Sequence, residues 1–363
     1  MEGHVVGAIN PFTMAGTMVL VIGLILFPGR PIRRPAPVTG FRARGILWRG
    51  LGVLWVLDGL LQCQPGMFTH RFIQYNLRLN LVGQPPWARH VLIFGYELWA
   101  NSPVFSNLMA VIVQLGIGVG VLWGFGRWWG RVAMALSIPW ALVVWVFGEG
   151  LGGFFAAMPT YWGGAPGAAI LYALAGAVAL LSRSYWSSGR AMLLFRRALA
   201  VTWWIGAGLQ TAALEWTRRG NANMLRGALA APQPPWITHA LGWTAGILAA
   251  QPLWSNALMV LIMTGLGLML WRDWSHPLLW WASVGWLGLL WMGQDFAGLA
   301  SGLGTDPGIV GILAVAMMAA WASLRDPAVR VINLRQEKTV PYRPAQSRAG
   351  ESSPRSSGAR GHV

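Results

Sequence analysis

Charge is scarce in this chain. Of its 363 residues, 10% are charged and 55% are hydrophobic. Soluble domains carry roughly a quarter charged residues. The mean hydropathy of +0.50 and the long apolar runs instead place the chain in the membrane class. Acids are scarcer than bases, 11 Asp and Glu against 27 Lys and Arg. A net charge of +16 in a soluble protein would suggest nucleic acid. Here the arginines fall in short stretches between apolar runs and read as topology signals, so no nucleic-acid partner is expected. Cysteine is nearly absent. With Cys63 alone there is no internal disulfide, no paired-cysteine thiol relay and no c-type haem attachment motif. No span carries a central histidine for a bis-His haem, and no zinc motif, phosphate loop or nucleophile elbow occurs. Hydrolase and ATPase readings are left without support.

Tryptophan is abundant, at 24 residues. Trp123, Trp128, Trp129, Trp271, Trp274, Trp280 and Trp281 lie at the ends of apolar runs, where indole rings favour the headgroup level. The chain also repeats itself. Gln84-Pro85-Pro86-Trp87 with His90 answers Gln233-Pro234-Pro235-Trp236 with His239. Pro103, Ser106 and Asn107 answer Pro252, Ser255 and Asn256; Gln62 answers Gln210; Pro166-Gly167 answers Pro307-Gly308. The offset drifts only from about 149 to about 141 residues, which predicts two tandem copies of one unit.

The expected fold is all-α: a polytopic membrane helix bundle of about nine transmembrane helices, built as a tandem parallel repeat of a four-helix unit. The first span covers about 11–27. Copy one supplies about 50–68, 103–125, 132–155 and 167–181, and copy two about 198–216, 252–271, 278–299 and 308–324. Most are near the roughly 20 residues a crossing helix needs, while the 167–181 span is short and starts a few residues earlier in the alternative. Four spans per copy leave both copies pointing the same way. Segments follow as an anchor and Arg-rich linker (1–45), repeat 1 (46–183), a linker (184–193), repeat 2 (194–325) and a basic tail without apolar period (326–363). Arg127, Arg131, Arg183, Arg190, Arg196, Arg197 and Arg325 share one side, which the positive-inside rule makes cytoplasmic. The expected setting is a bacterial plasma membrane, with the N-terminus outside, the C-terminus inside and long outer loops at 69–102 and 217–251.

Ionisable groups inside spans are costly, so each is a functional candidate. Asp58 lies midway along its helix, and Gln62 shares its face four residues on. Glu149 stands among glycines in Gly148-Glu149-Gly150-Leu151-Gly152-Gly153. Copy two has Gly206 where Asp58 stood, Gln210 where Gln62 stood, and Gln294-Asp295 near the Glu149 position. These six polar residues form the candidate pocket. His90 and His239 are outer-loop candidates; in the alternative, they orient a surface helix. Asp58 and Glu149 are equally readable as buried acids that hold the bundle together.

The four-span plan of each copy, about 46–183 and 194–325, resembles the DoxX/DoxD-like group of bacterial membrane proteins, and the strings Leu57-Asp58-Gly59-Leu60-Leu61-Gln62 and Gly148-Glu149-Gly150 look like those in bacterial multi-pass membrane proteins of unassigned function. That resemblance implies a quinone-coupled or thiol-coupled redox role, and the single cysteine departs from the thiol version. No catalytic residue is carried over from it. The leading expectation is a redox-associated subunit with a quinone near Asp58, Gln62 and Glu149. The alternatives are a small-solute or proton-coupled permease, and a non-catalytic scaffold. The lipid bilayer is the expected partner, together with a complex partner or a second copy of the chain.

Overall fold

In the computed structural model the described residues are 41–324, apart from 158, 230–233, 275, 295 and 297–301. The expected first span, the tail, Gln233 and Asp295 lie outside them. The described residues are helical, with no strand among them. They form the helices α1 (Phe41–Leu61), α2 (Pro86–Asn101), α3 (Pro103–Trp123), α4 (Trp128–Val143), α5 (Ala168–Leu180), α6 (Arg190–Gln210), α7 (Gly220–Ala228), α8 (Pro235–Ala250), α9 (Pro252–Trp271), α10 (Pro277–Gly293) and α11 (Gly308–Leu324), with shorter turns between them.

Proline sets several of these starts. Pro86, Pro103, Pro235, Pro252 and Pro277 each open a helix. A first-turn proline forfeits only an N–H that would be unpaired there, and its φ is already helical. In both Pro-Pro pairs the first proline is extended and the second begins the helix. The stretches 69–102 and 217–251 are therefore not simple loops. Each contains a helix of 16 residues, α2 or α8, which turns directly into the long helix after it.

Four stretches are long and apolar enough to cross a membrane: Pro103–Trp123, Trp128–Gly148, Arg190–Gln210 and Pro252–Trp271. Ala168–Leu180 and Gly308–Leu324 are shorter apolar helices. Only 22% of the Trp128–Gly148 window is buried, so most of that apolar surface faces outward, as lipid-facing surface does. Trp123, Trp128, Trp271, Trp274 and Trp281 are likewise exposed. Trp48, Trp55, Trp162, Trp186 and Trp203 have instead gone into the core.

α1 packs along α3, α3 along α4, and α4 along α5. In the second half α6 packs along α9, α9 meets α10, and α10 meets α11. Small residues let α1 and α3 close up: a Cβ on Gly118 would fall on the Val56 nitrogen and the Gly52 carbonyl. α11 joins the halves by packing on both α1 and α5.

Candidate carboxyl site

Asp58 lies on α1 and is 3% exposed. Its helix carries it among apolar and aromatic neighbours, and it faces a small cavity shared with Trp55, Gln114, Glu149, Tyr172 and Asp306. The volume open to a water centre there is about 10 Å3, the size of a single water site.

Glu149 reaches this cavity through an unusual backbone path. After α4 the chain loosens into a π turn over Val144–Gly148, then runs left-handed through Gly150, Leu151, Gly152 and Gly153. L side chains other than glycine rarely adopt such φ values. Space demands glycine as well: a Cβ on Gly152 would collide with the Pro166 carbonyl, and one on Gly167 with the Glu149 carboxylate. The reversal aims Glu149 at the N-terminus of α5. Its Oε1 accepts from the Ala168 and Ala169 nitrogens at 3.1 and 3.0 Å, and its Oε2 accepts from Ala169 at 3.2 Å. A carboxylate at a helix start takes up N–H groups that no helical carbonyl can reach and sits at the positive end of the dipole. The loop is tied down from several sides. Trp145 Nε1 donates to Pro166 O at 2.8 Å, Asn80 Nδ2 to Gly148 O at 2.7 Å, and Gln84 Nε2 to Gly150 O at 3.0 Å. Gln84, the first residue of the repeated string, thus holds the Glu149 loop.

Asp306 comes from the other half, in the segment before α11. Its Oδ1 accepts from the Gly308 nitrogen at 2.6 Å and its Oδ2 from Thr305 Oγ1 at 2.8 Å. Burial pushes its carboxyl above the ordinary value of 3.8, against the opposing pull of those two hydrogen bonds. The segment is anchored on the first half: Gln64 Nε2 donates to Gly304 O at 3.2 Å and Asn76 Nδ2 to Leu303 O at 2.9 Å.

Gln114 on α3 and Tyr172 on α5 complete the wall, 4% and 2% exposed. Tyr172 meets Trp55 edge-on, with ring centroids 5.1 Å apart. Asp58 Oδ1 and Gln114 Oε1 are buried acceptors that close no hydrogen bond, and Trp55 Nε1 is an unpartnered donor; the Tyr172 hydroxyl lies beside the Asp58 carboxyl without closing a well-formed hydrogen bond to it. Among the described residues, no lysine, arginine or histidine lines the cavity. The ion pair among the described residues, Arg196 Nε to Asp273 Oδ1 at 2.8 Å, involves none of these residues. No group of three or more His, Cys, Asp or Glu among the described residues is arranged to hold a metal ion.

The structure thus brings Asp58 and Glu149 together, but not Gln62, Gln210, Gln294, His90 or His239. Gln62 lies one turn beyond Asp58, where Asn107 Nδ2 donates to its backbone carbonyl at 2.8 Å. Gln210 belongs to a separate amide cluster: its Nε2 donates to Asn221 Oδ1 and, at 2.8 Å, to Asn256 Oδ1. Gln294 Nε2 donates to the Tyr161 carbonyl at 3.3 Å. His239 is exposed on α8, and His90 is exposed on α2 with its Nδ1 2.7 Å from Pro86 O, which orients a surface side chain. Asp306, Gln114 and Tyr172 escaped the sequence reading. The one signal for Asp306 was its place beside Pro307-Gly308, the counterpart of Pro166-Gly167.

Comparison with known proteins finds no matching family model, no matching curated protein and no matching solved structure.

Proposed function

We propose that this chain is a multi-pass membrane protein that binds and releases protons at Asp58, Glu149 and Asp306, and couples that exchange to the passage of a small solute. The observation that carries this reading is the wall of the cavity: three carboxyls, two unpartnered acceptors and, among the described residues, no cationic side chain. Charge held in apolar surroundings without a counter-charge must be offset, and an exchangeable proton is the simplest means. Intramembrane acids of this kind mark proton relays.

A tandem parallel repeat fits this class, since many transporters are built from internal repeats. Its support is the matching order and length of elements. α1 and α6 each have 21 residues, α2 and α8 each have 16, and α3 and α9 have 21 and 20. Arg44 at the start of α1 donates from its Nε to Ala179 O at the end of α5 at 3.0 Å, so both lie at one end of the bundle, the end that the arginine pattern assigns to the cytoplasm. A quinone head group is far larger than one water, so the redox role implied by the DoxX/DoxD resemblance would need a site other than this cavity.

The test is proton uptake by proteoliposomes with a pH-sensitive dye inside, driven by an imposed membrane potential. Wild-type protein should acidify the lumen several-fold faster than Asp58→Asn or Asp306→Asn protein reconstituted at equal density. Equal rates for all three, or no uptake above empty liposomes, would overturn the proposal.

A further inference from the structure

The same cavity has a composition that selects more than a bare proton. We infer that it is a binding site for a compact monocation that donates hydrogen bonds, with ammonium as its chemical type. This rests on the reading of the carboxyl cluster as an exchange site and extends it to a ligand.

Three observations converge. The first is size: the open volume of about 10 Å3 holds one water-sized species and no organic cation. The second is unused acceptor capacity. Gln114, 4% exposed, lines the cavity with Oε1 unpartnered, and Asp58 Oδ1 is unpartnered beside it. Buried acceptors left unpaired are costly, so a donor that reaches them is favoured. The third is the aromatic part of the wall. Trp55 and Tyr172 meet edge-on, and aromatic faces attract cations where water is excluded. Ammonium satisfies all three conditions. It is close to water in size, it carries four donors and no acceptor, and its charge offsets a carboxylate. Metal cations match the charge but carry no donors, and the described residues offer no metal-holding group.

The counterpart in the second half lacks these features. Gly206 stands where Asp58 would be, and a Cβ there would strike the Tyr161 ring. The amide pair Gln210 and Asn256 is closed by Asn221, whose Nδ2 donates to Asn256 Oδ1 at 3.1 Å. In the first half the related acceptors Gln62 Oε1 and Asn107 Oδ1 are unpartnered. The second half keeps unpartnered acceptors of its own, Gln210 Oε1 and Glu215 Oε2, but neither lines a cavity shared with Asp58.

The test is thermal unfolding of the purified full-length protein at constant pH and ionic strength. Ammonium chloride is titrated against choline chloride, with parallel sodium and potassium chloride series. A ligand that binds only the folded state raises Tm along a saturating curve. We expect such a curve for ammonium, a rise of about 2–4 °C at saturation, and no matching curve for sodium or potassium. Asp58→Asn and Gln114→Leu should each abolish it. Both variants are first melted in choline, so that a folding defect is seen separately; Gln114→Leu keeps every charge in place. No saturable ammonium response would overturn the inference, as would an equal response to potassium or a response unchanged in both variants. Proton uptake by proteoliposomes without an ammonium response would sink this inference alone, whereas loss of the uptake would sink the exchange site on which it rests.

Discussion

The two halves of the bundle use helices of matching length to opposite ends. In the first half, α1, α3 and α5 surround a polar cavity with Asp58 in its wall. In the second, the space beside Gly206 is filled by Tyr161, and that beside Gly293 by Trp162. Both aromatics are fully buried, and Trp162 Nε1 donates to Met259 Sδ at 3.3 Å. The exchange is reciprocal. The segment before α5, from the first half, supplies the aromatic plug of the second. The segment before α11, from the second half, supplies Asp306 to the first. The segment before α5 thus carries packing volume in one direction, and the segment before α11 a carboxyl in the other. An acid is tolerated where acceptors, aromatic walls and a water-sized space surround it, and it is absent where a ring occupies that space.

Trp162→Ala is the harshest way to break this contrast, because it empties the filled side. Removing a fully buried tryptophan should cost about 3–5 kcal/mol, read as a lowered unfolding midpoint of the purified protein. A loss below about 1 kcal/mol would mean that the second-half space is not plugged.

Glu149→Leu comes next. It removes a charged acceptor and leaves the Ala168 and Ala169 nitrogens unpaired, at a cost of about 2–4 kcal/mol. Glu149→Gln should recover part of that, since its amide oxygen still accepts. If Gln and Leu proved equally harmful in the unfolding midpoint, the helix-capping role would be wrong.

A smaller effect sharpens the contrast through pH. Burial raises the folded-state pKa of Asp306 above its unfolded value near 3.8. In that window the folded state binds more protons than the unfolded one. Its contribution to stability is therefore greatest below 3.8 and declines as pH rises through the folded-state value. Asp306→Asn should flatten the fall of Tm with pH on the alkaline side of 3.8. A pH profile that overlays the wild type would place this carboxyl in solvent.

His90→Ala and His239→Ala should do least, within about 0.5 kcal/mol. Both side chains are exposed and neither lines the cavity. Loss of proton uptake in either variant would move the site toward the outer helices.

Asp58 and Glu149 were legible because a carboxyl inside an apolar run is costly wherever that run folds. The helix starts at Pro103 and Pro252 were legible as the openings of long apolar runs. Asp306 was not, because an acid between Thr305 and Pro307 looks like any solvated turn residue. Nothing in its neighbourhood shows that the turn is pinned to Gln64 and Asn76, more than two hundred residues earlier. Gln210 stood out in the sequence as strongly as Gln62, yet its amide nitrogen is spent on Asn221 and Asn256, away from the cavity. The stretches 69–102 and 217–251 looked like loops because their polar residues break the long apolar run, although the Pro-Pro pairs mark real helix starts.

The sequence by itself determined the membrane class, the all-helical architecture and the scarcity of internal charge. Those follow from composition and periodicity, which each stretch carries alone. Only the tertiary structure decided which polar groups meet. That outcome depends on packing between segments far apart in the chain: a glycine run that reverses Glu149 onto α5, and two loops that trade places between the halves. Burial and hydrogen-bond partners belong to the packed bundle, so the difference between the open first-half cavity and the plugged second-half space could arise only there.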